Sequence, residues 1–190
     1  EFSLLNGDTV KVPMMNQTKL HGYSRGQDYQ AVELPYLGNE MSMVILHPDP
    51  DHFEAFESSL DAKQLESIIG ELNSTNMYLS LPKFQFDMDL PLAQVLQGLG
   101  MVDAFQMGPA DFSGMDGTRE LYLQDVLHKA FVSVDEEGTE AAAATAVVVG
   151  VTSAPAEPIA VKIDSPFIFL IRDIETGSIL FVGRVLNPAS

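Results

Sequence analysis

Strand patterns crowd this sequence without helices spaced regularly between them, and no other feature narrows the fold as much. Residues 29–34 alternate apolar and polar side chains, and residues 41–46 form an apolar run broken only by Ser42. Pro35-Tyr36-Leu37-Gly38-Asn39 supplies turn chemistry between them. Residues 9–15 read as a short strand pattern ending at a proline. Residues 76–86, which carry Leu81-Pro82-Lys83, and residues 126–135 read as two further strands. Residues 167–172 and 179–185 flank Glu175-Thr176-Gly177-Ser178, a hairpin signal. The run His47-Pro48-Asp49-Pro50-Asp51 is expected to end the strand before it, because proline has no N–H to give a ladder.

Two helices are expected. Asp61 caps the first, with Gln64 at the capping-box position and Leu65, Ile68, Ile69 and Leu72 on one apolar face. Asp89 caps the second, with Pro91 in its first turn, Leu92, Val95, Leu96 and Leu99 facing the core, and Gly100 as the stop. Many strands and few helices predict an α+β fold with largely antiparallel sheets, in one domain. There is no internal repeat and no linker.

Charge narrows the partners. Ten Lys and Arg against 27 Asp and Glu give a net charge of −17. That field repels phosphate backbones, so nucleic acid and heparin-like polyanions are not expected partners. No apolar stretch reaches the roughly 18 residues of a membrane span, and no membrane partner is expected. The chain has no cysteine, which excludes a disulfide scaffold, a cysteine nucleophile and a thiolate metal site. Its first residues lack the basic start and apolar stretch of a signal peptide. There is no G-x-S-x-G elbow, so no catalytic residue is assigned. His47, Asp49, Asp51 and His52 are metal-ligand types, but two prolines among them predict a solvated turn, and no metal or cofactor is expected.

One segment fits neither a helix nor an ordinary strand. Gly138-Thr139-Glu140-Ala141-Ala142-Ala143-Ala144-Thr145 is small and alanine-rich, and Ala146-Val147-Val148-Val149-Gly150 then turns β-branched. As a strand it would place Thr139, Ala141, Ala143, Thr145 and Val147 on one face. A face that small could slide between two strands without forcing bulky side chains through a core.

The neighbouring motifs give that segment a meaning. Leu127-His128-Lys129-Ala130, followed by Val134-Asp135-Glu136-Glu137-Gly138-Thr139-Glu140-Ala141-Ala142, resembles the hinge signature of the serpins. Pro166-Phe167-Ile168-Phe169-Leu170-Ile171-Arg172, then Leu180-Phe181-Val182-Gly183-Arg184-Val185 and Asn187-Pro188, resembles the serpin C-terminus. Val10-Lys11-Val12-Pro13-Met14-Met15, Glu33-Leu34-Pro35-Tyr36-Leu37-Gly38-Asn39, Leu81-Pro82-Lys83-Phe84 and Ala110-Asp111-Phe112-Ser113-Gly114-Met115 occur in the family's order. The resemblance covers essentially the whole chain. It implies that residues 1–190 are the C-terminal half of one serpin domain, with the reactive loop at about 138–160 and an N-terminal half outside this chain as a partner.

The resemblance also implies the function. The loop would be offered as a protease substrate, the protease would be trapped as an acyl-enzyme, and the cleaved loop would insert into a sheet. The hinge would comprise Glu136, Glu137, Gly138, Thr139, Glu140, Ala141, Ala142, Ala143, Ala144 and Thr145. Counting fifteen residues back to Gly138 puts the reactive bond at Thr152-Ser153, and because the stretch from Ser153 to Pro166 is a few residues longer than is usual in the family, Ser153-Ala154 and Ala156-Glu157 are the alternatives. The small or β-branched residue before it suits an elastase-like or subtilisin-like serine protease. Lys83 would pair with Glu136, and His128 would be a buried structural histidine. An extracellular or secreted location follows from the family. The alternative is a non-inhibitory serpin-fold carrier, chaperone or storage protein, which the small hinge residues disfavour.

Overall fold

A computed structural model of the chain describes residues 1–136 and 157–189. They fall into two compact units, Glu1–Phe84 with Val134–Ser190, and Gln85–Ser133.

The first unit is built on a seven-stranded sheet. A small ribbon of β1 (Phe2–Ser3) and β2 (Thr9–Val10) precedes it. β3 (Met14–Gly26), β4 (Tyr29–Pro35) and β5 (Met41–Pro48) follow as consecutive hairpins. Asp28 takes a positive φ in the first turn, and Gly38 and Asn39 take one in the second, as the turn residues predict. β6 (Asn73–Pro82) pairs along β3 from Met14↔Pro82 to Tyr23↔Asn73. β9 (Ile159–Lys162), β10 (Phe167–Asp173) and β11 (Ile179–Val185) complete the order β11-β10-β5-β4-β3-β6-β9. Every neighbouring pair is antiparallel except β6 with β9. The architecture is α+β, as expected.

β5 sits inside this sheet, which is why its sequence is apolar at consecutive positions rather than alternate ones. One face carries Ala31, Val44, Leu46, Ile168 and Leu170 against Phe53, Phe56 and Ile68. These aromatic and aliphatic anchors belong to α1 (Phe53–Ser59) and α2 (Ala62–Gly70). Asp61 caps α2 by accepting from the Gln64 N–H at 2.7 Å. On the opposite sheet face the Phe84 ring lies 5.6 Å from Phe167 and 5.4 Å from Phe169. A charge in this sheet is fully answered: Glu33 accepts from Ser42 at 2.7 Å and from the Arg172 guanidinium at 2.7 and 3.1 Å.

Three expectations are corrected in this unit. β5 does not stop at Leu46 but runs through His47 and Pro48, which pair with Gln30 and Tyr29. The pairing with β10 ends at Leu46, so the missing Pro48 N–H costs no bond on that side. The single strand expected over 76–86 is two strands in different sheets, broken at Lys83, whose N–H bonds instead to the Pro13 carbonyl. β3 is far longer than the pattern over 9–15, and β9 had no counterpart in the expectations at all.

The second unit holds most of β7 (Phe84–Pro91) paired with β8 (Leu127–Val134), together with α3 (Ala93–Gly98) and α4 (Ser113–Asp116). Asp89 is not a helix cap. It lies in β7 and binds Lys129 of β8 at 3.0 Å, and α3 begins only after Leu92. Gly100, at φ 103°, does end the helical turn. The expected core face fails: Val95 and Leu99 are exposed, because six helical residues beside a two-stranded ribbon supply no second layer to bury them.

Candidate functional site

The site is defined by the two points that anchor the chain around residues 137–156. The first lies just beyond β8. There the Lys83 ammonium contacts the Glu136 carboxylate. Lys83 is available because the chain turns from one sheet to another at this residue, between Pro82 and Phe84. Its hydrogen bond holds the Glu136 carboxyl below the usual carboxylate range, so Glu136 is charged at neutral pH.

The second anchor is β9, parallel to β6. Ile159 aligns with Met77, Ala160 with Tyr78, Val161 with Leu79 and Lys162 with Ser80. Val161 and Ile163 are buried, and the Ile163 N–H bonds to the Ser80 carbonyl at 2.9 Å. The alternation of Ile159, Val161 and Ile163 was the available signal for this strand. Both anchors therefore fasten to β6 or to the residue following it. At strand rise, Met77 and Lys83 are about 20 Å apart along the chain. The covalent length from Glu136 to Ile159 is about 80 Å, four times what that span needs.

Lys83 and Glu136 are thus brought together. Glu137, Gly138, Thr139, Glu140, Ala141, Ala142, Ala143, Ala144, Thr145, Thr152 and Ser153 lie outside the described residues. His128 is exposed on β8, whose one paired strand among the described residues is β7.

The segment expected to be a solvated turn, His47 to His52, departs from that expectation at its first residue, which lies in β5. His47 is buried, not solvated. Its Nδ1 meets the Gln30 amide nitrogen at 2.9 Å and its Nε2 meets Ser165 Oγ at 2.7 Å. Gln30 in turn accepts from the Tyr23 hydroxyl at 3.4 Å. Burial pushes the His47 pKa down to about 4, against the opposing pull of Asp164 and Asp49. Asp49 is taken by Arg25 at 2.6 Å, and exposed His52 turns its Nδ1 to the Pro50 carbonyl. Among the described residues no group of three or more His, Cys, Asp or Glu could hold a metal ion. His47, Gln30, Tyr23 and Ser165 were not read as a network from sequence, since Tyr23, Gln30 and His47 come together only when β3, β4 and β5 align, and Ser165 reaches them from the connection between β9 and β10.

Comparison with known proteins bears on this arrangement. The family model described as serpin (serine protease inhibitor) matches residues 1–188. An uncharacterized serpin-like protein of Thermococcus kodakarensis is 46% identical over 190 residues, covering 98% of this chain and 44% of its own. Plasminogen activator inhibitor 1 of Sus scrofa is 38% identical over 194 residues, covering 98% and 48%. Leukocyte elastase inhibitor of Xenopus laevis is 38% identical over 185 residues, covering 95% and 48%. The chain spans about half the length of the curated relatives it matches.

Proposed function

The chain belongs to the serpin family, and from that premise we propose that the full-length protein inhibits a serine protease as a single-use substrate. The observation that carries the reading is the pair of anchors: small-residue sequence is held at Glu136 by Lys83 and at Ile159 by β6, with chain to spare between them. A segment so fastened can be offered to a protease and later join a sheet.

The protease serine Oγ attacks the Thr152 carbonyl carbon, the bond to the Ser153 nitrogen breaks, and the Ser153 amine leaves. Thr152 remains esterified to the enzyme. The freed segment then enters a sheet as a strand, gaining ladder bonds and burying the face of Thr139, Ala141, Ala143 and Thr145. Serpin loop insertion is itself a standing example of such strand addition. The ester is trapped because the tethered enzyme is displaced before water completes deacylation. A β-branched residue before the bond favours an elastase-like or subtilisin-like enzyme over a trypsin-like one, whose buried carboxylate calls for Arg or Lys.

The test is a denaturing gel of the full-length protein with each enzyme, and mass spectrometry of the released C-terminal peptide. An SDS-stable complex and a cut between Val151 and Glu157, at Thr152-Ser153 for the register given, are the expected results. Cleavage within residues 139–145, or cleavage with no complex under any condition, refutes the reading.

A further inference from the structure

Asn6-Gly7 is the only asparagine–glycine step in the chain, and it stands in the link between β1 and β2. Asn6, Gly7 and Asp8 are exposed. The backbone draws this link tight: the Leu4 N–H donates to the Asp8 carbonyl at 2.8 Å and the Gly7 N–H to the Leu4 carbonyl at 3.0 Å. Gly7 takes φ 85°, a left-handed conformation that glycine adopts without cost to a side chain. Beyond its chain neighbours, no heavy atom lies within 4 Å of where a Cβ on Gly7 would stand, so solvent reaches this peptide unit.

The Asn6 side chain is held at both ends by Asp8. Its Oδ1 accepts from the Asp8 N–H at 3.0 Å, and its Nδ2 donates to the Asp8 carboxylate at 2.7 Å. A carboxamide held in this way is prepared for attack at carbon. The N–H stabilises the negative charge that builds on Oδ1 when a nucleophile adds. The carboxylate stabilises the positive charge on Nδ2 when that nitrogen is protonated to leave. The nucleophile is the Gly7 nitrogen, which closes a five-membered ring with no loss of translational freedom. Its bond to the Leu4 carbonyl opposes the attack and is given up when the exposed link opens locally.

We propose that Asn6 is a site of spontaneous covalent modification, in which the Gly7 nitrogen displaces the Asn6 amide as ammonia. Solvent base takes the Gly7 amide proton, and the nitrogen bonds to Asn6 Cγ. Water returns a proton to Nδ2, the Cγ–Nδ2 bond breaks, and ammonia leaves a cyclic imide. Water then opens the ring. Breaking the new bond at Cγ gives aspartate, and breaking the original peptide bond gives isoaspartate. Either product sets a negative charge against Asp8, where an attractive contact stood before. The same turn lines a cavity of about 600 Å³ with Asp49, Asp51 and Glu54, so the new charge joins three others. Isoaspartate also routes the backbone through Cβ and lengthens the link. β1 and β2 share only two residue pairs, so the ribbon loosens.

The test holds the full-length protein at pH 8 and at pH 6, maps peptides across Asn6 by mass spectrometry, and scores isoaspartate with a methyltransferase specific for it. Conversion at Asn6 is expected to run severalfold faster at pH 8, because the attacking nitrogen must lose its proton. Asp8→Ala removes the carboxylate and keeps the backbone N–H. It is expected to slow conversion about fivefold, the worth of one charge-assisted hydrogen bond at an exposed position. Asp8→Asn, which keeps an acceptor without the charge, is expected to fall between the two. In urea, where the turn is lost, all three proteins should convert alike. Asn6 unchanged at pH 8 overturns the proposal, whatever the other asparagines do. So does conversion confined to urea, or conversion of both folded variants within about twofold of the unaltered protein.

Discussion

At the scale of single residues, His47 shows how burial converts into a dependence on pH. Gln30 donates to Nδ1, leaving Nε2–H to donate to Ser165, so the network is complete only when the imidazole is neutral. Protonation would put a second hydrogen against the Gln30 amide. The folded pKa of about 4 lies below the ordinary 6.5, so between those values the unfolded chain binds a proton that the folded one refuses. Stability therefore rises with pH across this window and is lost as pH falls from 6.5 toward 4. At about 1.4 kcal/mol per pH unit, the full gap corresponds to about 3 kcal/mol. His21, buried with neither ring nitrogen hydrogen-bonded among the described residues and likewise lowered to about 4, acts in the same direction. Denaturant unfolding of the full-length protein should show its midpoint falling as pH is lowered from 7 to 4.5. His47→Gln, which keeps one acceptor and one donor without a titrating proton, should flatten part of that slope. An unaltered slope in the variant would show that His47 is not where the proton binds.

At the scale of elements, the readable parts of the chain are those whose signal is local. β4 and most of β5, the turn between them, the β10–β11 hairpin and the Asp61 cap on α2 follow from local apolar runs, turn chemistry and capping-box spacing. β3 was lost because its middle, Asn16-Gln17-Thr18-Lys19, is polar and mostly wet, and the strand is defined by partners on both sides rather than by its own pattern. Asp89 before a proline imitates a helix cap, and its true partner, Lys129, is forty residues away. Of the site, the Lys83–Glu136 pair came only through family resemblance because no spacing rule joins residues on different elements, and the proposed hinge beyond Glu136 lies outside the described residues. That proposed hinge makes an element-level prediction. If Thr139 enters a sheet interior, Thr139→Arg drives an unpaired charge into it, at a cost of several kcal/mol. The full-length variant should then be cleaved at the same bond while the SDS-stable complex disappears. An unchanged yield of complex would show that Thr139 stays outside the sheet.

At the scale of the whole molecule, the proposed trap requires that the intact protein not be in its lowest free-energy arrangement, and that requirement is measurable without any protease complex. In the proposed intact form, the hinge residues are solvated and a sheet lacks a central strand. After cleavage the same residues gain a neighbour on each side, at about 0.5–1.5 kcal/mol net per ladder bond. A strand formed by residues 139–149 accumulates several such bonds, and Val147 adds apolar burial on the inserted face. A gain of several kcal/mol moves a thermal midpoint by roughly 2–4 °C per kcal/mol in a domain of 150–250 residues, and by less in a longer one, so a shift of about 10 °C or more is expected. Loop-cleaved full-length protein should therefore melt well above the intact form under identical conditions. The 190-residue chain alone should show no such shift, since the resemblance puts one of the two receiving strands in the half that this chain does not contain. Without insertion there is no stored difference to release. Coincident melting of intact and cleaved full-length protein would therefore reject the trap and leave a carrier, chaperone or storage role as the better account of the same fold.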